Sequence, residues 1–468
     1  MWRTYKNIFN GVVFLGFLVS SCNKLVQVPE PISSVTTSEI FSNQGNAISA
    51  ITGIYSQMSY GRNNTIYSNS VTTQVGGLSS DEIELYSANG PLYQFQSNLL
   101  LSNNAYVINY LWSPIYFSIY QSNAAIEGLK ASTSLSSTIK TELDGEARFI
   151  RAYCYFYLIN LFGDVPLVTS TDWTLHQGIT RTPASQIYTQ IEEDLLLAQS
   201  ELPGDYSLTG GQKIWANSWA ATSMLARVYL YEGKWNSADS ASSAVISSGM
   251  FTLTKTLDSV FLPNSTEAIL QLQVINNPPY ATQEGNFFIP PSNTSSPRFY
   301  ISSNLLASFE MGDARRFHWL DSSKVSGVYY YYPYKYKIRQ GTKGAIGEAY
   351  MLLRFAEQYL IRAEARAQEN NNLSGAISDL NIIRNRVSLG NLSNNLSQAQ
   401  VLLAVEQERR IELFAEWGHR WLDLKRWGNA AQVLTANKGF TVTSSSLLFP
   451  IPLSELQTDP ELTQNEGY

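Results

Sequence analysis

Residues 352–367 read LLRFAEQYLIRAEARA, and the apolar members Leu352, Phe355, Tyr359, Leu360, Ala363 and Ala367 recur every three or four positions. Arg354, Glu357, Arg362 and Glu364 fall between them. One apolar stripe opposite one charged face is the pattern of an amphipathic helix lying on a core. Asn370, Asn371 and Asn372 interrupt the pattern, and Ala376, Ile377, Leu380, Ile383 and Val387 open a second stripe. Two helices joined by so short a polar break lie antiparallel.

A similar pair lies upstream. Trp219, Ala220, Met224, Leu225, Val228 and Tyr229 form one stripe, Glu232-Gly233-Lys234 the turn, and Trp235, Ala238, Ala241 and Val245 the next. Small alanines at the crossing and a glycine in the turn resemble tetratricopeptide hairpins, although the repeat is degenerate. The expected fold is therefore mainly α, a scaffold of helical pairs with long loop-rich insertions and a few short strands. Residues 65–101 and 271–303 carry Gly and Pro at loop density. Residues 328–338 alternate aromatic and basic side chains and read as a short strand or hairpin arm.

Composition narrows the function classes. The chain has 468 residues, 44% of them hydrophobic, enough for a sizeable core. With 32 Lys+Arg against 38 Asp+Glu it carries a net charge of −6, which argues against a nucleic-acid-coating protein. Two Cys and three His give neither a disulfide framework nor the usual Cys/His zinc site, so no metal or cofactor is expected. The 28 Tyr suit both cores and wet binding surfaces, because the ring is apolar and its tip polar.

At the start, Arg3 and Lys6 precede a short apolar run over residues 11–19, then Ser20, Ser21 and Cys22. This is the layout of a secretory signal. The run is too short for a lasting membrane span, which needs roughly 20 residues. Its ending, Val-Ser-Ser-Cys, looks like a bacterial lipoprotein signal with Cys22 as the acylated residue. The expected organisation is a signal at 1–21, a lipidated tether at 22–37, an N-terminal helical region at 38–250 and a C-terminal region at 251–468. The C-terminal region includes a loop-rich ligand-binding segment at 271–345. The other thiol, Cys154, sits in an apolar helical run and reads as buried and inert.

Four further stretches carry a family resemblance. They are Glu146 to Phe156 running on to Leu161-Phe162-Gly163-Asp164-Val165-Pro166; Gln358 to Ala365 closing with Leu380 to Arg386; Glu408-Arg409-Arg410-Ile411-Glu412-Leu413 continuing through Gly418 to Gly428; and Pro450-Ile451-Pro452 followed by Gln464 to Tyr468. In this order, behind a lipoprotein start, they resemble the SusD/RagB family of nutrient-uptake outer-membrane lipoproteins. The resemblance implies tetratricopeptide-like helices, binding of glycans at the cell surface, and a SusC-like TonB-dependent transporter on which the protein sits as a lid. It also implies an outer-membrane location facing the cell exterior, without catalysis. Peptide capture on the same scaffold, or a structural lid subunit without a ligand, are the alternatives.

The residues of these motifs are mostly structural. Phe149, Tyr153, Phe156 and Leu161 fall on one helical face, and Gly163 ends the helix. Glu408, Arg409, Arg410, Arg420 and Asp423 read as a partly buried ion-pair network orienting the C-terminal segment. The Glu412–Glu416 repulsion needs a base such as Arg420 or Arg426. No nucleophile elbow, phosphate loop or HExxH motif appears, and Ser137-x-x-Lys140 carries little weight in so Ser-rich a chain. Glu192, Glu193 and Asp194 read as a solvated helix face rather than a catalytic carboxylate pair. Sugar binding needs exposed rings and convergent polar groups. The two loop-rich regions offer Tyr67, Asp81, Glu82, Tyr86, Asn89, Tyr93 and Phe95, and Tyr280, Asn286, Phe287, Phe288, Phe299 and Tyr300. Trp319 and Tyr329 to Tyr332 are assigned to a strand arm and core edge instead.

Overall fold

The computed structural model describes residues 37–61, 66–345 and 347–468. The signal, Cys22 and the tether up to residue 36 lie outside the described residues. The main helices are α1 (Gln44–Tyr60), α2 (Thr72–Ser79), α3 (Gly90–Gln96), α4 (Ser113–Ala131), α5 (Ser137–Phe162), α6 (Ala184–Glu201), α7 (Ser218–Tyr231), α8 (Trp235–Ser247), α9 (Phe355–Glu369), α10 (Leu373–Arg386), α11 (Gln398–Glu412), α12 (His419–Arg426) and α13 (Ala430–Lys438). The strands are β1 (Ile83–Leu85), β2 (Ala268–Gln273), β3 (Phe299–Ile301), β4 (Leu320–Val325), β5 (Val328–Pro333) and β6 (Ala349–Arg354). The mainly α architecture of paired helices with few short strands is the one the sequence implies.

Each helix from α4 onward packs on its successor, α4 on α5, α5 on α6 and so on through α9, which also receives α10 and α11. At the α7–α8–α9 crossing, Ala226, Ala238 and Ala365 are fully buried beside Leu230 and Ile361, so small side chains bring three backbones close. Asn370 ends α9 in the left-handed region (φ 55°). Two residues later the Asn372 Oδ1 accepts from the Gly375 N–H at 3.0 Å and caps α10. The helix begins later than its apolar period suggests. Leu352 lies in β6, buried along its whole length and paired antiparallel with β2, and α9 starts at Phe355.

Helix α5 is the axis of the fold. Residues 149–159 are all buried, so it presents no single apolar face but is surrounded, and the one-face expectation for Phe149, Tyr153, Phe156 and Leu161 is too narrow. Polar groups inside it are paired. Arg151 donates to Asp194 at 2.8 and 2.6 Å, so Asp194 is a buried structural anion rather than part of a solvated face. Burial pushes the Cys154 thiol up to about 12, which leaves it unreactive.

The two segments read as loops are largely ordered elements. Residues 67–79 form a π-turn running into α2, all of them buried. Gly76 and Gly77 act here as packing residues, not breakers: a Cβ on Gly76 would stand 2.5 Å from the Gly418 Cα, so only two bare backbones fit. Residues 271–303 hold the end of β2, the short helix Gln283–Phe288, and β3. Strands β1 and β3 pair antiparallel with Glu84 opposite Tyr300, which joins the two segments. Beside them β4 and β5 form a hairpin through Ser326 and Gly327, both at positive φ.

Candidate functional site

The β1–β3 pair places three tyrosines from three parts of the chain in one cluster. Tyr86 follows β1, and its N–H donates to the Arg298 carbonyl at 3.2 Å. Tyr300 lies in β3 and Tyr330 in β5, whose strand packs against β3. The Tyr330 ring meets Tyr86 at 5.1 Å (71°) and Tyr300 at 5.3 Å (78°) between centroids. Edge-to-face rings hold one another by quadrupole attraction and make a stepped aromatic surface. Tyr86 is 40% exposed, while Tyr300 and Tyr330 are half-buried. The Tyr300 hydroxyl donates to Glu84 Oε2 at 2.6 Å; burial and that carboxylate push the phenol up, so it stays a donor. Nearby, Arg298 lies 4.9 Å over the Phe287 ring and donates to the Tyr106 hydroxyl at 3.2 Å.

Not every sequence candidate reaches this surface. Tyr67 is fully buried, its hydroxyl between Ser118 and Cys154. Phe95 and Phe299 are also fully buried, and Phe288 is nearly so, because α3, β3 and the helix 283–288 turn these rings inward. Asp81 and Glu82 are buried as well, so neither is available to a ligand. Asn89 and Tyr93 remain exposed at the start of α3, and Asn286 and Phe287 are half-buried, with the Asn286 amide spent on the Arg339 carbonyl. Tyr280 stands apart, on a cleft against α1 and β2. Sequence reasoning missed Glu84, Arg298 and Tyr330. Tyr330 lies on a strand as expected; burial falls off along β5 toward its hairpin end, so Tyr332 is buried while Tyr330 is half-buried against Tyr86 and Tyr300.

Asp81 belongs instead to a buried seam that fixes β1. It accepts from Arg410 and Arg420 at 2.9 Å each and from Asn437 at 2.6 Å. Burial pushes its carboxyl up, but Arg420 and Arg410 outweigh this and hold it below the usual range. On α13, Lys438 reaches the carbonyls of Leu78, Ser79 and Gln96 at 2.8–3.0 Å, tying α2 to α3. The seam continues along α11. Arg409 pairs with Asp423 at 2.8 Å and Arg315 with Glu408 at 2.6 Å. The bases answering Glu412 and Glu416 are Arg315, Arg354, Arg386 and Lys335. Arg420 and Arg426 serve Asp81 and Glu364 instead, a correction to the sequence expectation. Local spacing named bases on the same helical stretch; the fold supplies them from β6, α10 and the 313–335 segment. Three guanidiniums hold the Glu412 carboxyl far below its ordinary range despite complete burial.

Among the described residues no group of three His, Cys, Asp or Glu side chains could hold a metal ion, and no helix is long and apolar enough to cross a membrane. Rings with a few polar groups at their edge are the parts that sugar recognition requires.

Two family models match the chain: one described as "Starch-binding associating with outer membrane" over residues 29–230, and one described as "SusD family" over residues 321–468. A SusD-like protein, P25, of Formosa agariphila is 23% identical over 97% of this chain and 98% of its own length. Among solved structures, a SusD superfamily protein of Parabacteroides distasonis superposes with a TM-score of 0.79 at 23% identity, covering 93% of this chain and all of that one. A laminarin-binding SusD-like protein gives 0.76 at 23% identity, covering 91% and 100%. These likenesses show a shared fold over about nine-tenths of the chain. With both halves matched in order and the helical pairs in place, the chain belongs to the SusD/RagB family.

Proposed function

We propose that this protein is a non-catalytic glycan-binding lipoprotein of the outer membrane, acylated at Cys22 and displayed on the cell exterior. It captures oligosaccharides and delivers them to a SusC-like TonB-dependent transporter. The observation that carries this reading is the Tyr86–Tyr300–Tyr330 cluster, where one exposed and two half-buried rings stand next to the Glu84 carboxylate. Ring faces take up the C–H surfaces of sugars, and carboxylate and phenol groups bind hydroxyls. The matched family description and the laminarin-binding neighbour point to the same ligand class. Affinity electrophoresis in starch and laminarin gels tests it. Retardation of the intact protein should fall on Tyr86→Ala and Tyr300→Ala with the helical signal unchanged; equal mobility of all three proteins in both gels refutes it.

A further inference from the structure

A cleft of about 400 Å³ lies between α1, β2 and the chain around residues 276–280 and 344–345, and it shares no residue with the tyrosine cluster. Its aromatic parts are Tyr55, Trp215 and Tyr280; Tyr55 and Trp215 stack with centroids 6.1 Å apart and planes at 20°. Thr52, Ser56, Gln273 and Asn276 add hydroxyls and amides, and the other lining side chains are apolar. Among the described residues no Asp, Glu, Lys, Arg or His lines it, although the chain has 32 basic and 38 acidic side chains. The acid that meets the Tyr55 hydroxyl, Glu146, adds no charge near neutrality, since burial pushes its carboxyl up to about 8. A charged ligand would leave its counter-charge unmet there and lose its hydration as well. A neutral one with apolar faces and several hydroxyls finds rings and amides together.

The walls are set before any ligand arrives. The Asn276 Oδ1 accepts from the Gly344 N–H at 2.9 Å, tying one loop to the other. A Cβ on Gly341 would stand 2.0 Å from the Tyr280 carbonyl oxygen, so the two strands of chain touch backbone to backbone. The Gly341 N–H donates to the Pro279 carbonyl at 2.9 Å across the same contact. A cleft of this size lies at the lower end of those that enclose small molecules, roughly 300–1,000 Å³.

We infer that this cleft is a second binding site, specific for a neutral saccharide unit of one or two rings and independent of the tyrosine cluster. The tyrosine surface offers ring faces to a passing chain, whereas the cleft encloses a short sugar or a chain end. The cleft's own lining defines this site, which stands or falls apart from the tyrosine cluster.

Saturation-transfer NMR on the intact protein tests it, with maltose, laminaribiose, cellobiose and mannobiose as probes. At least one disaccharide should give transfer that survives Tyr300→Ala and falls about five-fold or more on Thr52→Trp, which fills the cleft from the exposed face of α1. Tyr280→Ala should weaken the same signal, and thermal melts of both cleft variants confirm that they are folded. Absence of transfer from every probe overturns the site. So does a signal lost in Tyr300→Ala and unchanged in both cleft variants, which would leave the tyrosine reading standing. The reverse pattern, loss in the cleft variants alone, would uphold the cleft.

Discussion

Asp81, just before β1, and Glu84, at its centre, stand three residues apart, and their surroundings differ in kind. Asp81 is buried and locked by two guanidiniums and an amide from α11, α12 and α13. Glu84 is half-buried and accepts one phenol from the strand opposite. The first arrangement trades solvation for fixed geometry and tolerates no missing partner. The second leaves a carboxylate and three rings free to meet something else. The segment thus has an anchored end and an offered end, and rigidity at the first is what keeps the rings of the second in register.

The contrast breaks most severely at the centre of the seam. Glu412→Ala strands Arg315, Arg354 and Arg386 without their shared carboxylate, and the expected loss is about 3–5 kcal/mol in urea unfolding. Asp81→Asn should cost about 2–3 kcal/mol, because Arg410 keeps no other close acid while Arg420 retains Glu406. At the offered end, Tyr300→Ala should weaken glycan retention about ten-fold, some 1.4 kcal/mol. Its melting temperature should shift far less than that of either seam variant.

A further effect is on pH dependence. Burial and the neighbouring Asp81 push the Glu82 carboxyl up to about 8. A carboxyl with a raised folded pKa binds its proton more tightly in the native state. Its contribution is therefore complete below the ordinary value of 4.5 and is lost as pH rises through about 8. Stability should decline across that window, and Glu82→Gln should flatten the decline when urea midpoints are compared at the two ends.

The helical half of this comparison was legible in the sequence. A stripe such as Ala363, Ala367 with Ala376, Leu380 encodes its own packing, since partners lie within a turn or a short connection. The strand half was not. Gly76-Gly77 and Pro278-Pro279 signal breaks, yet the first pair sits inside a buried helix because Gly418, far along the chain, needs the space. Asp81 read as a ligand contact because its partners lie 329, 339 and 356 residues away, beyond any local spacing rule. Tyr330 was assigned by its strand rather than by the face of that strand, and only the packing of β5 on β3 decides which face is wet. Cys22 and the signal lie outside the described residues.

The bare-backbone contact between Gly76 and Gly418 sets a calendar for the protein's maturation. Residue 76 is synthesised long before residue 418, so the early segment must wait, unseated, until nearly the whole polypeptide has emerged. A product interrupted ahead of that glycine has no place for α2 to close and no guanidinium from α12 for Asp81. Such a fragment could not hold β1 and its tyrosines in place, which waits for about the last tenth of the chain.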